Sequence, residues 1–169
     1  MSATNPTRTQ PTPQKITTFL WFDNNAEEAA NFYVSVFKNS RIVNTSHYTD
    51  VGPGPKGSVM TIEFELDGQR FTGLNGGPTF KFTEAISLVV NCDTQEEVDY
   101  YWKKLSADGG KEVECGWVKD KFGLSWQIVP KVLMELLVSG DTAKVDRVMR
   151  KMMTMKKLEI EPLKEAARG

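Results

Sequence analysis

Residues 115–130, CGWVKDKFGLSWQIVP, decide how the rest of the chain is interpreted. The DKFG segment at 120–123 lies between two apolar stretches, which is typical of a β-hairpin whose turn ends in glycine. Because side chains alternate along a strand, Trp126 and Gln127 must face opposite ways. Two interpretations stay open: a buried hairpin in which Gln127 is satisfied by its neighbours, or a small-molecule pocket whose wall includes Gln127 or the tryptophans.

Composition restricts the class of protein. The chain has 169 residues, 40% hydrophobic and 25% charged, which suits a globular domain with a sizeable core. Its 21 basic and 22 acidic residues give no electrostatic footprint for nucleic acid. There is neither an apolar run of the roughly 20 residues that a membrane span needs nor a signal-peptide core. We therefore expect a cytoplasmic protein without a nucleic-acid or membrane partner.

The two cysteines, Cys92 and Cys115, are far apart in sequence and lack the Cys-x-x-Cys spacing of a zinc knuckle. In a cytoplasmic protein such thiols stay reduced, and the sequence favours partly buried free cysteines over a disulfide.

The first half of the chain predicts a βαβββ unit. Residues 16–23 are β-branched and aromatic, and the NAEE sequence that starts at Asn25 is a capping-box signal for a helix with Asn25 as its N-cap. Three strands are expected after that helix, the last two joined by a tight turn at Asp67-Gly68.

The same order recurs in the second half. Residues 85–92 predict a strand, Thr94 opens a second capping box with Glu97, and short strands follow, the last two in the hairpin described above. Coincidence between two common cap-and-helix signals is the alternative, but the matching hairpins favour an internal duplication.

The predicted fold is α+β, with two tandem βαβββ modules that form a curved mixed sheet and a C-terminal helical tail. The predicted segments are a disordered arm (1–14), the first module (15–78), the second module (79–130) and a helical extension (131–169). In the extension, apolar residues recur at helical spacing on one side, so we expect this side to pack on the modules or on a second subunit. They are Val145, Val148, Met149, Met152 and Met155.

Four stretches resemble one known family. They are LWFDNNAEEAANFYVSVF, SLVVNCDTQEEVDYYWKKLSADGG, CGWVKDKFGLSWQIVP and MRKMMTMKKLEIEPLKEA. All are similar to the PhnB-like branch of the vicinal oxygen chelate superfamily, which includes glyoxalase I, bleomycin-resistance proteins and extradiol dioxygenases. The resemblance implies paired βαβββ modules, a homodimer and a pocket inside each curved sheet.

Enzymes of that superfamily hold a divalent metal with four side chains. The resemblance implies positions near Thr18, near Thr72 or Gly73, near Ala85 and at Gln127. Only Gln127 is a plausible ligand, and the sole histidine, His47, does not match a ligand position. We therefore predict no metal site and no cofactor.

The family is also labelled 3-demethylubiquinone-9 3-methyltransferase-like, but the sequence does not favour methyl transfer. A typical S-adenosylmethionine-binding fold has a glycine-rich turn after its first strand. In this chain, residues 23–25 (DNN) follow the first predicted strand. The glycine cluster at 73–77 is interpreted as the linker between modules, with binding of a ligand phosphate as the alternative.

Two functions remain: a small-molecule-binding protein with an unknown ligand, or a lyase-, isomerase- or dioxygenase-type enzyme with a degenerate or partner-completed metal site. No set of residues predicts acid–base catalysis, since Glu63 and Glu65 alternate with apolar residues and are expected to face solvent. If the predicted register of a strand is wrong by one residue, its candidate pocket residues lie on the opposite face of the sheet. The predicted pocket residues are Leu20, Phe22, Ser87, Val89, Trp117, Trp126 and Gln127.

Overall fold

The computed structural model describes residues 14–169, so the predicted disordered arm lies outside the described residues except for Gln14. The Gln14 side-chain oxygen accepts a hydrogen bond from the Arg70 backbone N–H at 3.4 Å. The chain divides into two compact units, Met1–Gly76 and Gly77–Gly169. The helical extension therefore belongs to the same unit as the second module.

The first unit contains one βαβββ module. Its elements are β1 (Thr18–Phe22), α1 (Ala26–Val36), β2 (Arg41–His47), β3 (Val59–Leu66) and β4 (Gln69–Asn75). The sheet has the order β1-β4-β3-β2, with β1 parallel to β4 and the other pairs antiparallel. Asp67 and Gly68 between β3 and β4 have φ values of 44° and 82°, which the predicted two-residue hairpin turn requires.

One face of the first sheet is covered by α1. The buried residues of the helix, Ala26, Ala29, Ala30, Tyr33 and Val36, recur at the spacing of a single helical face. Alternate residues of the strands pack against these helix residues and are buried. The opposite face of the sheet is not covered by α1.

The second unit repeats the module and adds the tail. The module consists of β5 (Ser87–Cys92), α2 (Gln95–Leu105), β6 (Lys111–Glu112), β7 (Trp117–Lys119) and β8 (Ser125–Pro130). The tail consists of α3 (Lys131–Leu137), α4 (Thr142–Met152) and α5 (Ile160–Arg168). The sheet has the order β5-β8-β7-β6, and its first and last strands, β5 and β8, are again parallel. The predicted α+β fold of two βαβββ modules with a helical tail is confirmed.

The two module helices start by different means, which corrects one prediction. Thr94 caps α2 as predicted, accepting a hydrogen bond from the Glu97 N–H at 3.2 Å. The Asn25 side chain makes no capping bond. Instead Asn75 Oδ1, at the end of β4, accepts from the Ala26 N–H at 2.9 Å. The capping-box pattern missed this partner because Asn75 is distant in sequence and is placed beside the start of α1 by the parallel β1–β4 pairing.

The tail shares a hydrophobic core with the last strand of the second module. Val129, Leu133, Val148, Met155, Leu158 and Leu163 form one buried cluster. Backbone hydrogen bonds join the Cys115 N–H to the Met155 oxygen at 2.8 Å and the Gly116 N–H to the Lys156 oxygen at 2.7 Å. The apolar side of α4 thus packs within this unit. Of the two expectations, packing on the modules or on a second subunit, this agrees with the first.

None of the helices in the described part of the chain is long and apolar enough to cross a membrane.

Candidate functional site

The helix-free face of the second sheet brings three of the predicted pocket residues into one row. Gln127 on β8 lies in register with Val89 on β5 and with Trp117 on β7. Side chains at registered positions share a face, so these three are neighbours across the middle of the sheet. Gln127 and Trp117 are half-buried, and Val89 is 50% exposed.

Ser87 belongs to the same face and forms a hydrogen bond with the Gln127 amide. It lies two residues before Val89 on β5 and is half-buried. Gln127 Nε2 donates a hydrogen bond to Ser87 Oγ at 2.8 Å. Among residues 14–169, the Gln127 side chain makes no other hydrogen bond. The amide oxygen therefore has acceptor capacity left on a partly open surface.

Trp126 faces the other way and belongs to the core beneath α2. It is 3% exposed, and its indole Nε1 donates to Asp120 Oδ2 at 2.8 Å. The other Asp120 oxygen accepts from the backbone N–H groups of Phe122 and Leu124 at 2.9 and 3.1 Å. Trp126 therefore closes the 120–123 turn, and of the adjacent pair only Gln127 can reach a ligand on the helix-free face.

Leu20 and Phe22 also lie on the helix side of their sheet, where they are 5% and 3% exposed. A β-carbon added at Gly73, the register partner of Leu20, would come within 3.4 Å of both Ala26 and Phe22, so this side of the sheet packs directly on α1. The predicted set took the helix side of β1, because every residue of this strand is apolar or β-branched and alternation is then invisible in the sequence.

The helix-free face of the first sheet carries Phe19 and Trp21, which the sequence did not single out, together with Thr72 and Glu63, which it did. Phe19, 60% exposed, is in register with Thr72, and Thr72 is in register with Glu63. Trp21 follows Phe19 on the same face. Comparison of the two duplicated modules could have identified Phe19. The pair Phe19–Thr72, between the first and last strands of the first module, corresponds to the pair Val89–Gln127 in the second.

Of the two glutamates expected to face solvent, Glu65 pairs with Arg41 at 3.0 Å. Glu63 is half-buried on the helix-free face of the first sheet. Beside it, the Ser46 and Thr61 hydroxyl groups hydrogen-bond to each other at 2.5 Å. This face is therefore more polar than its counterpart on the second sheet.

The lysine on this side of β7 is paired with a carboxylate. Lys119, two residues beyond Trp117 on β7, donates a hydrogen bond to the Glu84 carboxylate, and this bond lowers the pKa of Glu84. The row of Val89, Gln127 and Trp117 thus offers apolar surface and one amide, a combination suited to an uncharged ligand.

The tail closes one end of this face. Val129 lies on the same side of β8 as Gln127, and it is buried in the cluster formed by the tail. Gly116, next to Trp117, has a φ of 83°, and a β-carbon there would lie 2.9 Å from Leu158 Cδ1. The helical extension therefore limits the surface that a ligand could occupy.

The residues present do not fit the divalent metal that the superfamily resemblance implies. Gln127 Nε2 is already bonded to Ser87, Gly73 has no donor atom, and Ala85 precedes β5. His47 is exposed at the end of β2. Within residues 14–169, no group of three or more His, Cys, Asp or Glu side chains is placed to hold a metal ion. A lone amide oxygen binds a divalent ion weakly.

Neither cysteine adds a nucleophile to this face. Burial raises the pKa of Cys92 to about 12, so its thiol stays protonated at neutral pH. Cys115 is half-buried at the junction with the tail.

The glycine cluster at 73–77 is used for packing. Gly73 lies within β4 against α1, and a β-carbon at Gly76 would come within 2.5 Å of the Trp21 ring. No helix starts after these glycines until α2, so they do not form the phosphate-binding turn that was the alternative.

Paired βαβββ modules define the class: the chain has the fold of the glyoxalase/bleomycin resistance/dioxygenase superfamily. Within that class, the chain belongs to the family described as 3-demethylubiquinone-9 3-methyltransferase, whose model matches residues 14–129. A search of curated proteins gives no match.

Three solved structures are similar to this chain, two of them in fold alone. A PhnB protein from Bacillus cereus is 43% identical, with a TM-score of 0.63, and the match covers 69% of this chain and 99% of that one. A protein from Pseudomonas aeruginosa is 17% identical over 70% of this chain and 98% of its own, with a TM-score of 0.58. The fosfomycin resistance protein FosX from Listeria monocytogenes, complexed with Mn(II) and sulfate, is 16% identical, with a TM-score of 0.52 and coverage of 77% and 99%.

Proposed function

We propose that this protein binds a small, uncharged aromatic or amphipathic molecule on the helix-free face of its second sheet, without a divalent metal. The observation that supports this most directly is Gln127, a half-buried amide held by Ser87 between the apolar side chains of Val89 and Trp117. Apolar walls with one oriented polar group are typical of small-molecule sites.

Enzymatic activity at the same face is the alternative, and the metal content decides between them. Elemental analysis after mild purification should find far less than one equivalent of zinc, nickel, manganese or iron. Near one equivalent, lost in Gln127→Ala, would make the metalloenzyme interpretation the better one. We do not propose methyl transfer, because Gly73 packs against α1 and Gly76 against Trp21, and no helix opens after them before α2.

Binding is tested by adding charge to the proposed face. Val89 is half-exposed, so Val89→Glu should fold normally while it places a carboxylate beside Gln127. Equilibrium dialysis against a panel of neutral aromatic compounds should then show binding to the wild type and at least a tenfold loss in the variant.

The matched control for that experiment is Tyr100→Glu. Tyr100 is 41% exposed on α2, which covers the opposite side of the sheet. This variant should bind like the wild type. Equal losses in both variants, or no binding by the wild type to any compound of the panel, would contradict the proposed function.

We also propose a cytoplasmic homodimer. Strands β1 and β2 are the edges of the first sheet, and β5 and β6 those of the second, and exposed sheet edges favour association unless they are covered. Sedimentation equilibrium should give twice the 19.0 kDa chain mass. A monomer at micromolar concentration would contradict the dimer and leave the binding proposal intact.

A further inference from the structure

The end of β4 carries Asn75-Gly76, the only Asn-Gly pair in the sequence. Such a pair is chemically labile, because a glycine nitrogen has no neighbouring side chain to hinder its attack on the asparagine amide. In that reaction a bond forms between Gly76 N and Asn75 Cγ, the Cγ–Nδ2 bond breaks, and ammonia leaves with the proton of the Gly76 N–H. Water then opens the cyclic imide to aspartate or isoaspartate.

The fold needs both members of this pair. Asn75 Oδ1 accepts from the Ala26 N–H at 2.9 Å, and Nδ2 donates to the Val59 carbonyl at 3.0 Å. Because the first partner is only a donor and the second only an acceptor, an amide satisfies both and a carboxylate does not. A β-carbon at Gly76 would lie 2.3 Å from the Trp21 ring, so a larger residue would displace that ring. Capping and packing together therefore place the labile pair here.

The folded module holds the reacting atoms in place. The Gly76 N–H, whose nitrogen is the nucleophile, donates to the Phe22 carbonyl at 2.9 Å. The Asn75 carbonyl accepts from the Tyr48 hydroxyl at 2.7 Å, and the Asn75 amide is bound at both ends. Attack requires the Gly76 bond to break and the Asn75 side chain to turn towards its own backbone. Folding therefore protects Asn75, and opening at this end of the sheet removes the protection.

We propose that Asn75 is a deamidation site controlled by opening at the end of β4, so that the first unit records its own opening as an irreversible covalent change. This inference is independent of the proposed ligand. An aspartate at position 75 has no donor for the Val59 carbonyl and places an oxygen against it. An isoaspartate adds a methylene group to the backbone. Neither product restores both bonds of the cap, so deamidation favours further opening.

The test compares the folded full-length chain with the chain unfolded in guanidinium chloride, at the same temperature and mildly alkaline pH. Samples are digested at acidic pH, and chromatography with mass spectrometry separates the asparagine, aspartate and isoaspartate forms of each peptide. In the unfolded chain Asn75 should react faster than Asn39, which precedes Ser40, because a serine side chain hinders the attack. Folding should slow the reaction of Asn75 at least about tenfold, since only open molecules react.

Tyr48→Phe tests whether the local bonds control the reaction, because it keeps the ring and removes the hydroxyl that binds the Asn75 carbonyl. In the folded chain this variant should deamidate at Asn75 about two- to tenfold faster than the wild type. Its rate in guanidinium chloride should be unchanged. The matched control is Tyr100→Phe, on α2 of the second unit, which should change neither rate.

Asn75→Asp carries one of the two products and should lower the midpoint of denaturation by guanidinium chloride. Equal rates at Asn75 in the folded and unfolded wild type would overturn the proposal, because folding would then give no protection. It would also be overturned if Tyr48→Phe did not accelerate the reaction of the folded chain, or if Asn75→Asp denatured at the wild-type midpoint.

Discussion

The two modules have the same element order and differ in what their helix-free faces present. At matching pairs of first and last strands, the first module has Phe19 beside Thr72 and the second has Val89 beside Gln127. Beyond these pairs the first face continues to Glu63 and the second to Trp117. A duplicated fold thus supports two chemically distinct surfaces, and the second presents an amide among apolar side chains.

The modules also differ in how their last strands are used. In the first, β4 ends at Asn75, whose side chain caps α1. In the second, β8 ends at Pro130, which leads directly into α3 and the tail, while α2 is capped by the adjacent Thr94. The same strand position therefore stabilises a helix in one module and anchors an appendage in the other.

The largest expected effect concerns the tail. Leu158 is 1% exposed, lies in the tail core and contacts the loop at Gly116. Leu158→Ala should lower the free energy of unfolding by about 2–5 kcal/mol, because it leaves a cavity in this core. Chemical denaturation followed by tryptophan fluorescence measures the change.

Met153→Ala is the control, since Met153 is in the same tail but 67% exposed. It should change the free energy of unfolding by no more than about 0.5 kcal/mol. Equal small effects of both substitutions would mean that the tail does not stabilise the second module.

A smaller effect distinguishes the two helix caps. Asn75→Ala removes the bond to the Ala26 N–H and a second one, in which Asn75 Nδ2 donates to the Val59 carbonyl at 3.0 Å. We expect a loss of about 1–2 kcal/mol in the free energy of unfolding. Asn25→Ala should cost less than about 0.5 kcal/mol, since the Asn25 side chain makes no capping bond. Both losses are measured by chemical denaturation. A larger loss for Asn25→Ala than for Asn75→Ala would show that Asn25 caps α1, as the capping-box pattern predicted.

The smallest effect is a pH dependence confined to the second module, which contains both cysteines. Cys92 has a pKa of about 12 in the folded chain, against 9.0 for a free thiol, because burial disfavours the thiolate. The unfolded chain loses this proton first, so the stabilising contribution is complete below pH 9 and is lost as the pH rises towards 12. At pH 9.5 the loss should be about 1 kcal/mol.

Other groups also titrate in that range, so the test compares the wild type with Cys92→Ala. Between pH 8 and 9.5 the wild type should lose more stability than the variant. Parallel pH profiles of the free energy of unfolding would show that Cys92 ionises equally in both states.

Local patterns predicted the elements, since the Asp67-Gly68 turn, the Thr94 cap and both helical faces depend on residues close in sequence. The faces of the strands were harder. Along β1 both alternate sets are apolar or β-branched, so Leu20 was preferred to Phe19, although it is Phe19 that is exposed. The Asn75 cap and the Ser87–Gln127 bond join distant residues, and only the strand pairing reveals them.

The most direct test of the central claim is to locate a bound aromatic ligand by NMR. With 2-naphthol, the largest chemical-shift changes should fall on the Gln127 side-chain amide, the Trp117 indole and Val89, because an aromatic ring over this row shifts the nuclei beneath it. Changes confined to the Phe19–Thr72 face of the first module, or to residues beneath α2 such as Trp126, would contradict the assignment of the site.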